Sequence, residues 1–179
     1  MDNRRENSNN LLQSIKARKW NEVHQYLHQA FFPSSSNVYT LHQICSDSKA
    51  PIKIVDDIYN AYPTAALLLT KDNDTPISIA VLSGFEDAVH FLANACPEAC
   101  GISNSHSYIP ILIAVYKMNY SNIIDSIISV NPRTAFIKHR KGNSAFDTFF
   151  HKWNVLVQIL LYNETEVDKV REDVIGYGN

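Results

Sequence analysis

Two pairs of residues have the type and spacing that metal coordination requires. His24 and His28 are four residues apart, and Cys96 and Cys100 have the same spacing on either side of Pro97. A structural zinc site needs four ligands, and neither pair has a second pair to complete it. We therefore expect surface histidines, cysteines that act as buried small apolar residues, and neither a metal nor another cofactor.

The titratable residues do not form the pattern of an enzyme. An active site needs paired titratable groups in a cleft, whereas the carboxylates here are scattered through turns and outer helix faces. The sequence also has no glycine-rich phosphate loop. We predict that the protein is not an enzyme.

Charge and composition restrict the partners and the compartment. The formal net charge is -2, so we expect no nucleic-acid binding. The short basic run Lys138–Lys141 is either a solvated loop or a contact for phosphate or an acidic partner. Three cysteines and a polar N-terminus without the apolar core of a signal peptide predict an intracellular protein, cytoplasmic or nuclear. The longest apolar run, Ile109–Tyr116, is much shorter than the roughly 20 residues of a membrane span.

The residues recur in a regular pattern along the chain. Thr40, Pro76, Pro110 and Ala145 are separated by 36, 34 and 35 residues, and we call such a recurring position a slot. Pro63, Pro97 and Pro132 form another slot, with spacings of 34 and 35 residues. Self-similarity at a fixed period indicates a solenoid, in which each unit buries its apolar face against its neighbours.

Within the best-defined unit, local signals predict two helices. Thr75 is suited to cap the first helix, and Pro76 suits its first position. Ser83-Gly84 then breaks that helix, and Phe85 opens the second.

These residues resemble the ankyrin-repeat family. Thr75-Pro76-Ile77-Ser78-Ile79-Ala80 is similar to the family's T-P-L-H-x-A start. Leu41-His42 retains the Leu-His pair, and Ile109–Ala114 retains the proline and the alanine. The resemblance implies that His42 bonds backbone groups of a neighbouring loop. It also implies a tight turn three residues before the proline slot, at Asn37, Asn73, Ser107 and Gly142. Asn and Gly tolerate a left-handed backbone best, so Ser107 is either distorted or strained.

The expected fold is all-α, an α-solenoid of stacked helix-turn-helix ankyrin-like repeats with short hairpin-like turns. Residues 1–9 are expected to be disordered, and residues 10–163 to form one repeat domain. Its five units cover about residues 10–37, 38–70, 71–104, 105–139 and 140–163. In the last unit, Trp153 replaces the turn glycine that Gly84 supplies in the best-defined unit. An apolar second helix is expected after it, at 155–162. The acidic tail, residues 164–179, either caps it as a helix or leaves it open to further repeats or to a second copy.

The family resemblance also implies where a partner binds. Ankyrin-like arrays use their turn tips and the exposed ends of their first helices, which line a concave face. The residues in these positions are Lys71, Asp72, Asp74, His106, Tyr108, Tyr116, Lys117, Arg140, Lys141, His151 and Lys152. Tyr108 and Tyr116 are either a central anchor for a partner or a pair that packs on itself.

The sequence therefore predicts a monomeric, non-enzymatic module that binds another protein through the concave face. The alternative is a subunit or fragment of a larger assembly that docks through its apolar C-terminal repeat.

Overall fold

The computed structural model describes residues 2–29, 39–117 and 121–154, and these residues are helical with connecting turns and no strand. The α-helices are α1 (Asp2–Lys16), α2 (Trp20–Gln29), α3 (Thr40–Cys45), α4 (Ile52–Ala61), α5 (Pro76–Ser83), α6 (Glu86–Ala95), α7 (Pro110–Lys117) and α8 (Ser121–Val130). A further helix, α9, is described over residues 145–154. Short 3₁₀ helices span Pro63–Leu67, Pro97–Gly101 and Pro132–Phe136.

Helix α5 begins and ends at the residues that the sequence indicates. The Thr75 hydroxyl oxygen accepts a hydrogen bond from the Ser78 backbone N–H at 3.3 Å, and Pro76 is the first helical residue. Gly84 ends the helix in the left-handed conformation with φ 75°. The missing Cβ of glycine makes this conformation accessible at little cost, so the chain reverses at once into α6.

The second helices α4, α6 and α8 are each followed by a proline-led 3₁₀ turn. The residues before these prolines, Tyr62, Cys96 and Asn131, have φ between -150° and -139° and ψ near 75°. A residue that precedes proline is sterically excluded from the helical region. The proline therefore stops α4, α6 and α8 at the same point of each unit.

Three connecting turns share one hydrogen-bond pattern. In the first, the Thr70 N–H donates to the Asp74 carbonyl and the Asn73 N–H donates to the Thr70 carbonyl, both at 3.0 Å. The same two bonds recur in the turns at residues 104–108 and 139–143. The fourth residue of each turn has positive φ: 60° at Asn73, 65° at Ser107 and 88° at Gly142. The left-handed slot is thus confirmed at these three turns, and Ser107 adopts it despite its Cβ. Asn37 lies outside the described residues.

First helices pack against neighbouring first helices, and second helices pack against neighbouring second helices. Helix α5 contacts α3 and α7, while α6 contacts α4 and α8. The buried apolar side chains form one continuous core from Leu11 to Ala145. Neighbouring helix pairs from α1 to α8 therefore bury apolar side chains against one another.

The N-terminus differs from the sequence-based expectation. Residues 2–9, which we expected to be disordered, belong to α1. Leu11 and Ile15 are buried and hold the later turns of this helix in place. Extending a helix that is already nucleated costs little, so the polar residues before Leu11 continue it.

The last described helix also differs from the expectation. We placed Trp153 in the turn slot that Gly84 occupies, but α9 continues through Trp153 to residue 154. Tryptophan has no preference for the left-handed conformation that stops α5, so nothing at this position ends the helix. The predicted second helix at 155–162 and the acidic tail at 164–179 lie outside the described residues.

Candidate functional site

A groove of about 430 Å³ lies between two neighbouring turns, at residues 70–74 and 104–108. Its apolar floor comes from Leu82 on α5 and Ile113 on α7. The remaining lining residues come from the turns and the end of α7: Asp72, Asp74, Asn104, His106, Tyr108, Tyr116 and Lys117. Helices α5 and α7 therefore form the floor of the groove, and the turns at residues 70–74 and 104–108 form its two walls.

The two walls are joined by hydrogen bonds. The Asn104 side-chain amide donates to Asp74 Oδ1 at 3.0 Å, and the Ser105 N–H donates to the Asp72 carbonyl at 2.8 Å. Asn104 Oδ1 accepts from the backbone N–H groups of His106 and Tyr108 at 3.1 and 3.0 Å. The groove is therefore built before any ligand arrives, which lowers the entropy lost on binding.

Two tyrosines form the aromatic side of the groove. The rings of Tyr108 and Tyr116 pack edge to face, with centroids 5.4 Å apart at 85°. Tyr108 is half-buried against the core, whereas Tyr116 is 46% exposed. The pair does pack on itself, and it still presents one ring to solvent.

His139 supports this pair from the next turn. Its ring stacks on Tyr108 at 4.6 Å and 21°, and its Nε2 donates to the His106 carbonyl at 2.9 Å. Its Nδ1 accepts from the Lys141 N–H at 3.1 Å. A carbonyl can only accept and an N–H can only donate, so these partners assign the neutral Nε2–H tautomer.

Two lysines bond to backbone carbonyls near the ends of the first helices. Lys117 Nζ donates to the Leu82 carbonyl at 2.7 Å. Lys152 Nζ donates to the carbonyls of Val115 and Tyr116 at 3.1 and 3.0 Å and lies 5.0 Å from the Tyr116 ring centroid. A cation at a helix C-terminus is favourable because unpaired carbonyls concentrate negative charge there.

The structure brings together six of the eleven residues that the sequence singled out. Asp72, Asp74, His106, Tyr108, Tyr116 and Lys117 line the groove. Lys152 contacts Tyr116 beside it. Lys71, Arg140, Lys141 and His151 are exposed and do not line it. Arg140 instead lines a separate cavity of about 330 Å³ with Lys138 and His139.

Sequence reasoning missed Asn104, Ile113 and His139. Thr70, Asn104 and His139 share a slot with spacings of 34 and 35 residues. In each case the side chain accepts a hydrogen bond from a backbone N–H of its own turn. Asn and Thr often close turns in this way, so this slot was a usable signal.

The other residues that could take part in chemistry, His42 and the three cysteines, are buried in the fold. His42 Nε2 lies 3.0 Å from the Leu68 carbonyl and 3.2 Å from the Asp74 carbonyl, as the family resemblance implies. Burial lowers the pKa of His42. Cys45, Cys96 and Cys100 are buried free thiols, and burial raises the pKa of Cys100 to about 11. Such thiols are poor nucleophiles because the thiolate is rare at neutral pH.

Of the histidine pair, the structure describes the side chain of His24. His24 is exposed, and its Nδ1 lies 3.0 Å from Asp57 Oδ2. The His28 side chain lies outside the described residues. Within the part of the chain that the structure describes, no group of three or more His, Cys, Asp or Glu residues is placed to hold a metal ion.

Comparison with known proteins gives no assignment. No protein-family model matches the sequence, and no curated protein matches it. Across the three described ranges, every helix is too short or too polar to cross a bilayer.

Proposed function

We propose that this chain is a divergent ankyrin-like repeat solenoid that binds another protein through the groove and has no catalytic activity. The proposed mechanism is the rigid presentation of side chains on the concave face. The chain has three cysteines, and all three are free and buried. Free thiols are typical of a reducing compartment, so we propose a cytoplasmic or nuclear location.

The repeat assignment is supported by features that recur at one period. The two-bond turn, its left-handed fourth residue and the proline-led 3₁₀ helix each recur at spacings of 34 or 35 residues. The alternate packing of first and second helices is the arrangement expected of stacked units.

The observation that carries the binding proposal is the exposed ring of Tyr116 above a prebuilt apolar floor. Tyrosine supplies a large contact area for few rotatable bonds, so it is favoured at the centres of interfaces. Asp72 and Asp74 lie at one wall, while Arg140 and Lys141 lie beyond the other turn. The complementary partner has an apolar or aromatic anchor for the groove and an acidic end for the basic turn.

The test is a paired affinity capture from native cell extract. One bait is the intact chain, and the second carries Asp72→Ala and Tyr116→Ala, two exposed positions in the groove. The matched control carries Asp87→Ala and Asn94→Ala, two exposed positions on α6. Circular dichroism and thermal unfolding check that all three fold alike.

A protein that is retained by the intact chain and the control, and lost by the groove variant, is the expected result. A protein that all three baits retain equally would overturn the groove as the binding site.

A second candidate function is docking into a larger assembly through the C-terminal repeat. It rests on the aromatic side chains that α9 exposes. Concentration-dependent association that is lost on Ile159→Asp would favour it over the groove.

A further inference from the structure

Helix α9 carries an exposed row of aromatic side chains that we call the aromatic face: Phe146, Phe149, Phe150 and Trp153. These side chains are 50–63% exposed. Phe146 stacks near Phe150 with centroids 6.3 Å apart, and Phe149 stacks near Trp153 at 6.4 Å. Apolar surface of this size on a folded chain marks a place where something else packs.

The repeat pattern shows that these positions are normally covered. Phe149 shares a slot with Ala80 and Ala114, and both alanines are fully buried. Helix α5 contacts its own second helix, α6, and the flanking first helices α3 and α7, and α7 contacts α8 and α5. On α9, Ala145 and Thr148 are buried, whereas the aromatic face is not. In the earlier units a second helix packs on the first helix.

The stretch of the chain that carries the aromatic face is basic. Between residues 133 and 154 the chain has five Lys or Arg residues and one acidic residue, which gives a net charge of +4. The basic residues are Arg133, Lys138, Arg140, Lys141 and Lys152, and we call them the basic rim. Two copies meeting through this face would bring two basic rims together, which is electrostatically unfavourable.

The chain that follows directly has the complementary chemistry. Residues 155–162 read VLVQILLY, and residues 163–174 contain five Asp or Glu residues against Lys169 and Arg171, a net charge of -3. We propose that residues 155–174 return over α9, so that 155–162 cover the aromatic face and the acidic stretch lies beside the basic rim. A covalently attached segment has a high effective concentration, which favours it over a separate partner.

The aromatic face and the groove are separate surfaces. The groove lies between the turns at residues 70–74 and 104–108, whereas the aromatic face lies on α9, and none of its residues lines the groove. The proposal therefore does not depend on the groove binding a partner.

Trp153 reports directly on the cover. In the full chain with Trp20→Phe, Trp153 is the remaining tryptophan. We expect blue-shifted emission and weak quenching by acrylamide in a monomer. The double change Ile159→Asp and Leu160→Asp should at least double the quenching constant without changing the mass measured by light scattering. The matched control, Leu67→Asp, changes an exposed leucine of another unit and should leave quenching unchanged.

A charge swap tests the acidic half of the cover. Glu164→Lys with Glu166→Lys should raise quenching, most strongly at low salt, where charges act over longer distances. Adding Lys138→Glu and Arg140→Glu should restore the protection, because the attraction is rebuilt with opposite signs.

Three outcomes would overturn the proposal. Trp153 in the parent chain could be as accessible as free tryptophan, or its protection could survive the changes at 159 and 160. Protection that disappears on dilution together with a dimer mass would assign the aromatic face to a second copy. Loss of groove binding in the capture experiment would leave all these readouts unaffected, so the two proposals fail separately.

Discussion

Helices α5 and α9 occupy equivalent places in the repeat pattern but have opposite surroundings. In α5, the slot residues Ile77 and Ala80 are at most 1% exposed, whereas their slot mates Phe146 and Phe149 in α9 are about half exposed. Both helices have polar N-caps: Thr75 bonds the Ser78 N–H, and Ser144 exchanges hydrogen bonds with Asp147. Position in the repeat is thus encoded locally, whereas burial depends on a neighbour being present.

The largest expected effect is the loss of a buried side chain from α5. Ile77→Ala should lower the free energy of unfolding by about 2–5 kcal/mol, because it removes apolar contact and leaves a cavity. The matched change Leu82→Ala removes an exposed side chain from the same helix and should cost about 0.5 kcal/mol or less. Urea unfolding measures both. Equal losses would mean that the two faces of α5 do not differ as described.

Transferring an aromatic residue from α9 into α5 should also destabilise the protein. Ala80→Phe places the residue type of slot mate Phe149 at a position that is 0% exposed. Overpacking of a filled core typically costs about 1–3 kcal/mol. Thermal and urea unfolding would show the loss, and an unchanged midpoint would mean that α5 has spare room beside α6.

His42 and Asp147 occupy the same slot, but their contributions to folding stability should depend on pH in two different ways. Burial lowers the pKa of His42, while unfolded histidine titrates near about pH 6.5. The unfolded state therefore gains protons first, so the stability from neutral His42 is complete above about pH 6.5 and falls as the pH decreases. The Ser144 backbone N–H and hydroxyl lower the pKa of Asp147, so its contribution is lost only in acid, below about pH 4.

His42→Gln tests the first half of that contrast. It should remove part of the stability loss between pH 7.5 and 5, and should cost about 1 kcal/mol at pH 7.5 through a poorer hydrogen bond. His106→Gln, at an exposed histidine, is the control that retains the loss. An identical pH slope in both variants would contradict a neutral buried His42.

The smallest effect is expected at the left-handed turn slot. Ser107 has φ 65°, and Gly142 holds the equivalent place with φ 88°. Ser107→Gly should stabilise the protein by less than about 1 kcal/mol, since relief of left-handed strain is partly offset by the greater flexibility of unfolded glycine. Gly142→Ala should destabilise it, although no atom lies within 4 Å of the added Cβ. A Ser107→Gly variant less stable than the parent would show that the serine side chain has a role of its own.

Much of the local architecture could be predicted because it depends on short-range sterics. Local signals include the proline that begins each described 3₁₀ helix, Thr75 at the N-cap and Gly84 at the reversal. Each of them acts directly on the residues next to it in the chain. The prediction failed at residues 2–9, where a polar stretch continues a helix whose stability comes from Leu11 and Ile15. It failed again at Trp153, because a missing stop signal is harder to recognise than one that is present.

The candidate site was predicted in part for a related reason. Repeat slots placed Asp72, Tyr108 and Tyr116 on adjacent units, and these residues do line one groove. The slots did not separate them from Lys71, His151 and the basic turn, since exposure alone does not distinguish a groove from a tip.

The sequence by itself determined the period, the turn type and those helix ends that a cap, a proline or a left-handed glycine marks, because these signals act within a few positions of the chain. Only the tertiary structure decided that His139 stacks on Tyr108, that Asn104 joins two turns through Asp74 and that Lys152 lies against Tyr116. These contacts cross from one unit to the next, about 30–36 residues along the chain. They depend on how neighbouring units stack, and the period sets which units are neighbours but not which side chains meet.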